Sequence, residues 1–146
     1  MSDASPSLVV GLVRALRPQQ WTKNLLVVAA PLGAGVLGSV DGALSVVIAF
    51  VAFSLAAGAT YVLNDLRDLE SDRAHPRKRH RPFASGTVPV GVGAAWGVIV
   101  LAGAIGVSLL RSDLVWVVLG YVVITTSYSV WLKHLAVIEL VSVAAG

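Results

Sequence analysis

Cysteine is absent from this chain of 146 residues, and charged residues are scarce. The lack of cysteine excludes disulfides, thiolate metal sites and cysteine nucleophiles. Only 13% of the residues are charged, whereas 56% are hydrophobic and the mean hydropathy is +0.81. This composition is typical of an integral membrane protein, so we expect membrane lipid as a partner and no nucleic acid. The composition leaves the oligomeric state open.

Long apolar runs are abundant, and they predict an all-α, polytopic transmembrane helix bundle. A spanning helix needs about 20 mostly apolar residues. Four segments meet this requirement and a fifth begins near Leu135, giving predicted spans at 24–40, 43–63, 88–110 and 114–132. Pro31 and several glycines interrupt the first span, so we expect it to be kinked or irregular.

The N-terminal 23 residues are expected to form an interfacial segment on the cytoplasmic side. Residues 1–7 carry no Lys or Arg, and Arg14 and Arg17 interrupt the early apolar stretch, so no cleavable signal peptide is expected. The stretch from Leu8 to Leu16 instead predicts a short amphipathic helix on the membrane surface, ended by Pro18.

The basic residues predict the orientation in the membrane. With the four spans above, ten of the eleven Lys and Arg residues lie on one side, and Arg111 alone lies on the other. The positive-inside rule then places the N-terminus and the loop 64–87 in the cytoplasm of a multi-pass plasma-membrane protein. Asp41, Arg111 and Asp113 mark the short outer turns.

An acidic segment, Asn64-Asp-Leu-Arg-Asp-Leu-Glu-Ser-Asp72, directly follows the second apolar run. On a helix with about 100° per residue, Asp68 lies about 60° and Asp72 about 20° from Asp65, whereas Glu70 points nearly opposite. Asp65, Asp68 and Asp72 therefore share one face, and oxygen ligands favour Mg²⁺ or Ca²⁺ over a soft metal. The segment predicts a site for Mg²⁺ and diphosphate at the membrane surface. The alternative is a solvated polar loop whose acids pair with nearby arginines.

A basic run follows the acidic segment within the same loop. Arg77, Lys78, Arg79 and Arg81 form a strong anion site, and two prolines make a continuous helix unlikely here. A basic run beside a membrane is often a topology signal or a binder of anionic lipid. Next to a metal-binding face, the same cations favour binding of phosphate groups, with Lys78, Arg79 and Arg81 as candidate ligands.

Other polar residues are weaker candidates. His75 and His80 are candidate acids or bases, although a histidine on a basic loop is more often only solvated. Substrate contacts are also considered for residues near the predicted cytoplasmic ends of the spans, namely Lys23, Asn24, Asn64, Tyr128 and Lys133. Trp21 is more simply explained as an interface anchor.

The acidic segment at the end of the second span resembles the first aspartate motif of the UbiA-type intramembrane prenyltransferases. Further stretches support this resemblance, namely Arg17-Pro-Gln-Gln-Trp-Thr-Lys-Asn24, His75-Pro-Arg-Lys-Arg79, Arg81-Pro82, Ser85-Gly86, Tyr128-Ser129 and Leu132-Lys133. The resemblance implies a nine-helix bundle with a central cavity and two aspartate motifs that bind Mg²⁺ and diphosphate. Residues 1–146 correspond to its N-terminal part, without a second motif, and are not expected to be active alone.

The resemblance is strongest to those family members that transfer a phosphoribosyl group. It implies transfer from phosphoribosyl diphosphate to decaprenyl or another polyprenyl phosphate, with release of diphosphate, for cell-wall arabinan precursors. Asp65, Asp68 and Asp72 would then be the catalytic Mg²⁺ ligands. One alternative is a prenyltransferase with an isoprenoid diphosphate donor and a small-molecule acceptor. The other is an inactive fragment or a non-catalytic membrane protein, although the nearly charge-free spans argue against a transport pathway.

Overall fold

The computed structural model describes residues 7–132 of the chain, and these residues are mainly helical. The α-helices are α1 (Leu8–Ala15), α2 (Leu26–Gly33), α3 (Val40–Arg67), α4 (Leu69–Ala74), α5 (Val90–Ser108) and α6 (Ser112–Ser127). Short 3-10 helices occupy Pro18–Leu25, Val36–Gly38 and Lys78–His80, and a π-helical turn, Tyr128–Leu132, follows α6. The predicted all-α class is confirmed. The predicted fifth span and Lys133 lie outside the described residues.

Three helices within residues 7–132 are long and apolar enough to cross a membrane, namely α3, α5, and α6 continued to Val130. They correspond to the predicted spans at 43–63, 88–110 and 114–132. Their outer faces expose large apolar side chains, including Val47, Ile99 and Trp116, as lipid-facing surfaces do. The Ser39 hydroxyl caps α3 by accepting a hydrogen bond from the Gly42 amide at 3.1 Å.

The predicted span at 24–40 is irregular, as expected from its sequence, and is not one helix of spanning length. Pro31 is accommodated inside α2, and the break occurs at Gly35, whose φ of 70° is readily adopted only by glycine. Residues 17–38 nevertheless run the length of α3 in the opposite direction. Arg17 contacts Asp65, the Asn24 amide donates to the Ser54 hydroxyl at 3.1 Å, and Val36 lies beside Gly42. The irregular segment thus covers about the same 30 Å as a regular span.

The packing of α3 depends on small residues. Ala52, Ala56 and Gly58 are buried in its middle, and α5 makes the most extensive contact with it. A Cβ at Gly97 of α5 would lie 3.0 Å from Val62 Cγ1, so the missing side chain permits this close approach. Such small residues let helices pack by van der Waals contact in a lipid environment, where the hydrophobic effect contributes little.

A second core holds the loop 75–89 against the helix ends. Phe83 and Val88 are both 1% exposed and pack with Leu16, Val62 and further buried apolar residues. The Phe83 ring fills the space that a side chain at position 93 would need, because a Cβ on Gly93 would lie 2.1 Å from Phe83 Cε1. The loop therefore folds back over one end of α3, directly beside the acidic segment.

Candidate active site

The acidic segment begins in the last turn of α3 and continues into α4. Asp68 alone leaves helical geometry, yet its amide still donates to the Asn64 carbonyl at 2.9 Å, and the Asp72 amide donates to Asp68 at 2.8 Å. The helical arrangement assumed for the sequence is thus nearly preserved. Asp65 and Asp72 are buried, at 3% and 1% exposure, whereas Glu70 is exposed on the other side.

Arg81 joins the two buried carboxylates. Its Nη1 lies 3.1 Å from Asp65 Oδ1 and 2.7 Å from Asp72 Oδ2. One nitrogen can reach both groups only if the two side chains project from the same face, as the spacing of seven residues predicts. Charge-assisted hydrogen bonds of this kind are roughly twice as strong as neutral ones, so Arg81 fixes the loop to the helix.

Arg17 is a site residue that the sequence analysis did not propose. Its Nη2 lies 2.5 Å from Asp65 Oδ1, and its guanidinium carbon lies 4.9 Å from the centre of the Tyr61 ring. Its backbone adopts φ 51° and ψ 60°, a strained conformation for a residue that is not glycine. The available signal was an arginine directly before Pro18 where the chain approaches the membrane, but no local spacing connects it to Asp65.

The second oxygen of Asp72 is available for a ligand. Oδ1 is buried and has no hydrogen-bond partner within residues 7–132, and Lys78 Nζ lies 4.0 Å away. A buried carboxylate oxygen without a hydrogen bond is costly, so it suits a hard cation. Three cations, Arg17, Lys78 and Arg81, lie beside Asp65 and Asp72. Within the described part of the chain, no three acidic or histidine side chains are grouped closely enough to hold a metal ion by themselves.

The other predicted site residues have different positions. Asn64 and Tyr128 line one cavity between α3 and α6, and Lys23 and Arg79 are exposed. Asn24 is hydrogen-bonded to Ser54 and so has a structural contact. No side-chain position is described for Lys133. The structure thus brings Asp65, Asp72, Lys78 and Arg81 together, places Asn64 and Tyr128 beside a second cavity, and leaves Lys23 and Arg79 at the surface.

The two histidines have local roles in the loop. His75 Nδ1 accepts hydrogen bonds from the amides of Arg77 and Lys78, at 3.2 and 3.4 Å. His80 Nε2 lies 3.4 Å from Arg79 Nε. His75 therefore shapes the turn that presents Lys78 to Asp72.

Three cavities of different character lie near this end of α3. One of about 470 Å³ is polar and is lined by Arg14, Arg17, Gln19, Gln20, Asp65 and Arg81. A second of about 350 Å³ lies between α3 and α6, and a third of about 260 Å³ is apolar and lies among α3, α5 and α6. Space for a charged group and for an apolar chain is thus available at one end of the bundle.

Known proteins match this chain over most of its length. The chain is 47% identical to the decaprenyl-phosphate phosphoribosyltransferase of Mycobacterium tuberculosis, over 96% of this chain and 48% of that relative. It is 43% identical to the protein of the same name from Corynebacterium glutamicum, over 96% of this chain and 44% of the relative. The nodulation protein NoeC of Azorhizobium caulinodans is 41% identical over 64% of this chain and 30% of its own length.

The chain spans less than half the length of the phosphoribosyltransferases that it matches. The UbiA prenyltransferase family matches residues 24–146, which include the acidic segment and the basic loop. With its apolar helices and its buried carboxylates at the end of α3, the chain belongs to the UbiA prenyltransferase family.

Proposed function

We propose that residues 1–146 form the donor-binding part of a transferase that moves the 5-phosphoribosyl group from phosphoribosyl diphosphate to decaprenyl or a similar polyprenyl phosphate. The observation that carries this proposal is the cluster of Asp65 and Asp72 with Arg17, Lys78 and Arg81 at the end of an apolar helix. The names of the relatives support the same reaction. The product would serve as a precursor of cell-wall arabinan.

The reaction exchanges one phosphate oxygen for another at the anomeric carbon of ribose. The bond from this carbon to the diphosphate breaks, and a bond to an oxygen of the polyprenyl phosphate forms. Because the nucleophile is already an anion near neutral pH, the reaction needs no strong general base. The absence of a required base is consistent with His75, whose Nδ1 accepts a hydrogen bond from the Arg77 amide in its own loop.

Asp65, Asp68 and Asp72 are the residues that would hold Mg²⁺, and this assignment is supported by Asp72 Oδ1, which is buried and makes no hydrogen bond to the described residues. Bound Mg²⁺ would neutralise the diphosphate leaving group. Of the cations beside the carboxylates, Arg81 and Lys78 contact Asp72. When a diphosphate enters, the two cations can turn toward its oxygens, so they stabilise the charge on the leaving group.

The basic residues distinguish the phosphoribosyl donor from an isoprenoid donor. An isoprenoid diphosphate carries one diphosphate, whereas phosphoribosyl diphosphate carries a further 5-phosphate with about two negative charges. Arg14, Arg17 and Arg81 line the cavity of about 470 Å³ next to Asp65, which has room for this second phosphate. We place the site on the cytoplasmic side of the plasma membrane, since the basic residues concentrate there.

The test is transfer of radiolabelled ribose phosphate into lipid by membranes that contain the full-length protein, meaning the complete polypeptide in which residues 1–146 occur. We expect label in the lipid fraction when polyprenyl phosphate and Mg²⁺ are present, and none with EDTA. The matched control omits polyprenyl phosphate. Consumption of an isoprenoid diphosphate without lipid labelling would instead establish the ordinary prenyltransferase reaction.

A further inference from the structure

All three tyrosines of the chain line one cavity, the space of about 350 Å³ between α3 and α6. On α3 the lining residues are Ala57, Thr60, Tyr61 and Asn64, and on α6 and the turn after it they include Tyr121, Ile124, Thr125 and Tyr128. Each set follows the spacing i, i+3, i+4, i+7, which places its members on a single helical face. Two helical faces that carry polar groups therefore face each other across this cavity, which is open on the side of Tyr128, a residue that is 56% exposed.

The polar groups of this cavity are open to a ligand. Thr60 and Thr125 donate to carbonyls of their own helices, at 3.0 and 2.7 Å, which leaves their oxygens free to accept hydrogen bonds. None of the three tyrosine hydroxyls makes a hydrogen bond to the part of the chain that the structure describes. These hydroxyl groups are therefore available to donate and accept hydrogen bonds, which suits a ligand with several hydroxyl groups.

The position of the cavity connects it to the carboxylates. Asn64 lines it and is adjacent in sequence to Asp65, and Tyr61 lies under the Arg17 guanidinium that contacts Asp65. From Asn64 to Ala57 the cavity extends about 10 Å along α3. The ribose of a donor whose diphosphate lies at Asp65 and Asp72 would therefore be close to this cavity.

The neighbouring apolar cavity has a different chemistry. It contains Val62, Leu66, Val98 and Leu101, and it shares Thr60 with the tyrosine-lined cavity. An isoprenoid chain has no hydrogen-bonding group and therefore fits the apolar cavity. In the tyrosine-lined cavity it would leave the tyrosine hydroxyls without hydrogen bonds. The tyrosine-lined cavity thus suits a polar part of a substrate, and the neighbouring cavity suits an apolar part.

We infer that the tyrosine-lined cavity is the ribosyl subsite, in which Tyr61, Asn64 and Tyr128 hydrogen-bond to the ribose 2- and 3-hydroxyls. This inference rests on the proposed function, because it assigns a position to the sugar of the same donor. It identifies these residues as determinants of specificity for a sugar and not for an isoprenoid. Tyr121 supports the wall by an edge-to-face contact with Phe53, with ring centres 5.3 Å apart.

The experiment compares phosphoribosyl diphosphate with analogues that lack the 2- or the 3-hydroxyl, using the full-length protein. The wild-type protein should favour the natural donor in kcat/KM by about 3- to 10-fold per hydroxyl, the range for one neutral hydrogen bond. In each of the variants Tyr61→Phe and Tyr128→Phe, one of the two analogues should be used about as well as the natural donor, so that the ratio of their kcat/KM values is near one. The ratio of kcat/KM for the natural donor to kcat/KM for an analogue is measured within one variant, so it does not depend on the fraction of that variant that is folded.

Ser112→Ala is the matched control, because it removes a hydroxyl from the opposite end of α6. It should keep the wild-type preference. If the wild-type protein prefers the natural donor and both phenylalanine variants do so equally, the subsite is wrong and the proposed function stands. If the wild-type protein neither binds nor transfers from phosphoribosyl diphosphate, the proposed function is wrong and the subsite with it.

Discussion

Arg17 Nη2 lies 2.5 Å from Asp65 Oδ1, although 48 residues separate the two in sequence. The contact joins the start of the irregular segment 17–38 to the last turn of α3. It also holds Arg17 in a left-handed backbone conformation, which costs on the order of 1–3 kcal/mol in other proteins. A strained residue that pairs with a buried carboxylate is typical of a functional site, so Arg17 is central to the candidate active site.

Replacing Arg17 should therefore destabilise the fold. We expect Arg17→Ala to lower the free energy of unfolding by about 1–3 kcal/mol, because Asp65 loses one charge-assisted hydrogen bond and, among the described residues, keeps only the one from Arg81. Thermal unfolding in detergent, followed by circular dichroism, measures the effect. Arg14→Ala is the control, since Arg14 is exposed and lines the same cavity, and a change within about 0.5 kcal/mol is expected.

A double-mutant cycle distinguishes the loss of the Arg17–Asp65 interaction from a general loss of packing. If Arg17 acts through Asp65, Arg17→Ala combined with Asp65→Asn should cost less than the sum of the two single changes. Additive costs would show that the two residues are not energetically coupled.

The predicted Mg²⁺ site depends on Asp72 being buried on one side of the helix while Glu70 is exposed on the other. Asp68→Ala and Asp72→Ala should reduce Mg²⁺-dependent transfer by the full-length protein by about 100-fold or more, because each removes a ligand of the charge-stabilising cation. Glu70→Ala should have a mild effect, since Glu70 is exposed on the other side of the helix. Initial rates measured over a series of Mg²⁺ concentrations test this. An equal loss in all three variants would contradict the assignment of a single acidic face.

Much of this site was predictable because it depends on local spacing. The seven-residue interval between Asp65 and Asp72 fixes a common face in a helix, and the shared Arg81 nitrogen agrees with it. Hydropathy likewise predicted α3, α5 and α6 to within a few residues. Arg17 was not predictable in this way, because its contact depends on the return of residues 17–38 along α3. The hydrogen bond between Asn24 and Ser54 along that path is equally non-local.

The topology prediction can use the natural absence of cysteine. Arg79 lies in the loop next to the acidic segment, whereas Ser112 follows Arg111, which pairs with Asp41 at the first turn of α3. The two positions are thus at opposite ends of the bundle. We expect Arg79→Cys to be labelled by an impermeant maleimide only from the cytoplasm, and Ser112→Cys only from outside. Labelling of both from one side would contradict the predicted number of crossings.

The last prediction concerns Lys78, the cation whose contact with the carboxylates is longest. Its Nζ lies 4.0 Å from Asp72 and its side chain is 44% exposed, so it can turn toward a phosphate at little cost to the fold. Losing one charge-assisted contact costs on the order of 1.5–3 kcal/mol, which corresponds to about a 10- to 150-fold rise in the donor KM. We therefore expect Lys78→Ala to raise the KM for phosphoribosyl diphosphate in this range, with a smaller effect on polyprenyl phosphate.

Two further variants test whether the rise in the donor KM is a property of Lys78 itself. Arg79→Ala removes a neighbouring exposed cation that contacts only His80 among the described residues, and it should leave the donor KM within about 2-fold. Arg81→Ala should raise the same KM but also destabilise the protein, because Arg81 bonds to both Asp65 and Asp72. Transfer of labelled ribose phosphate at varied donor concentrations, together with thermal unfolding, separates the two effects. A similar rise in KM for Arg79→Ala would mean that the loop attracts the donor by its total charge, and that Lys78 has no specific contact with it.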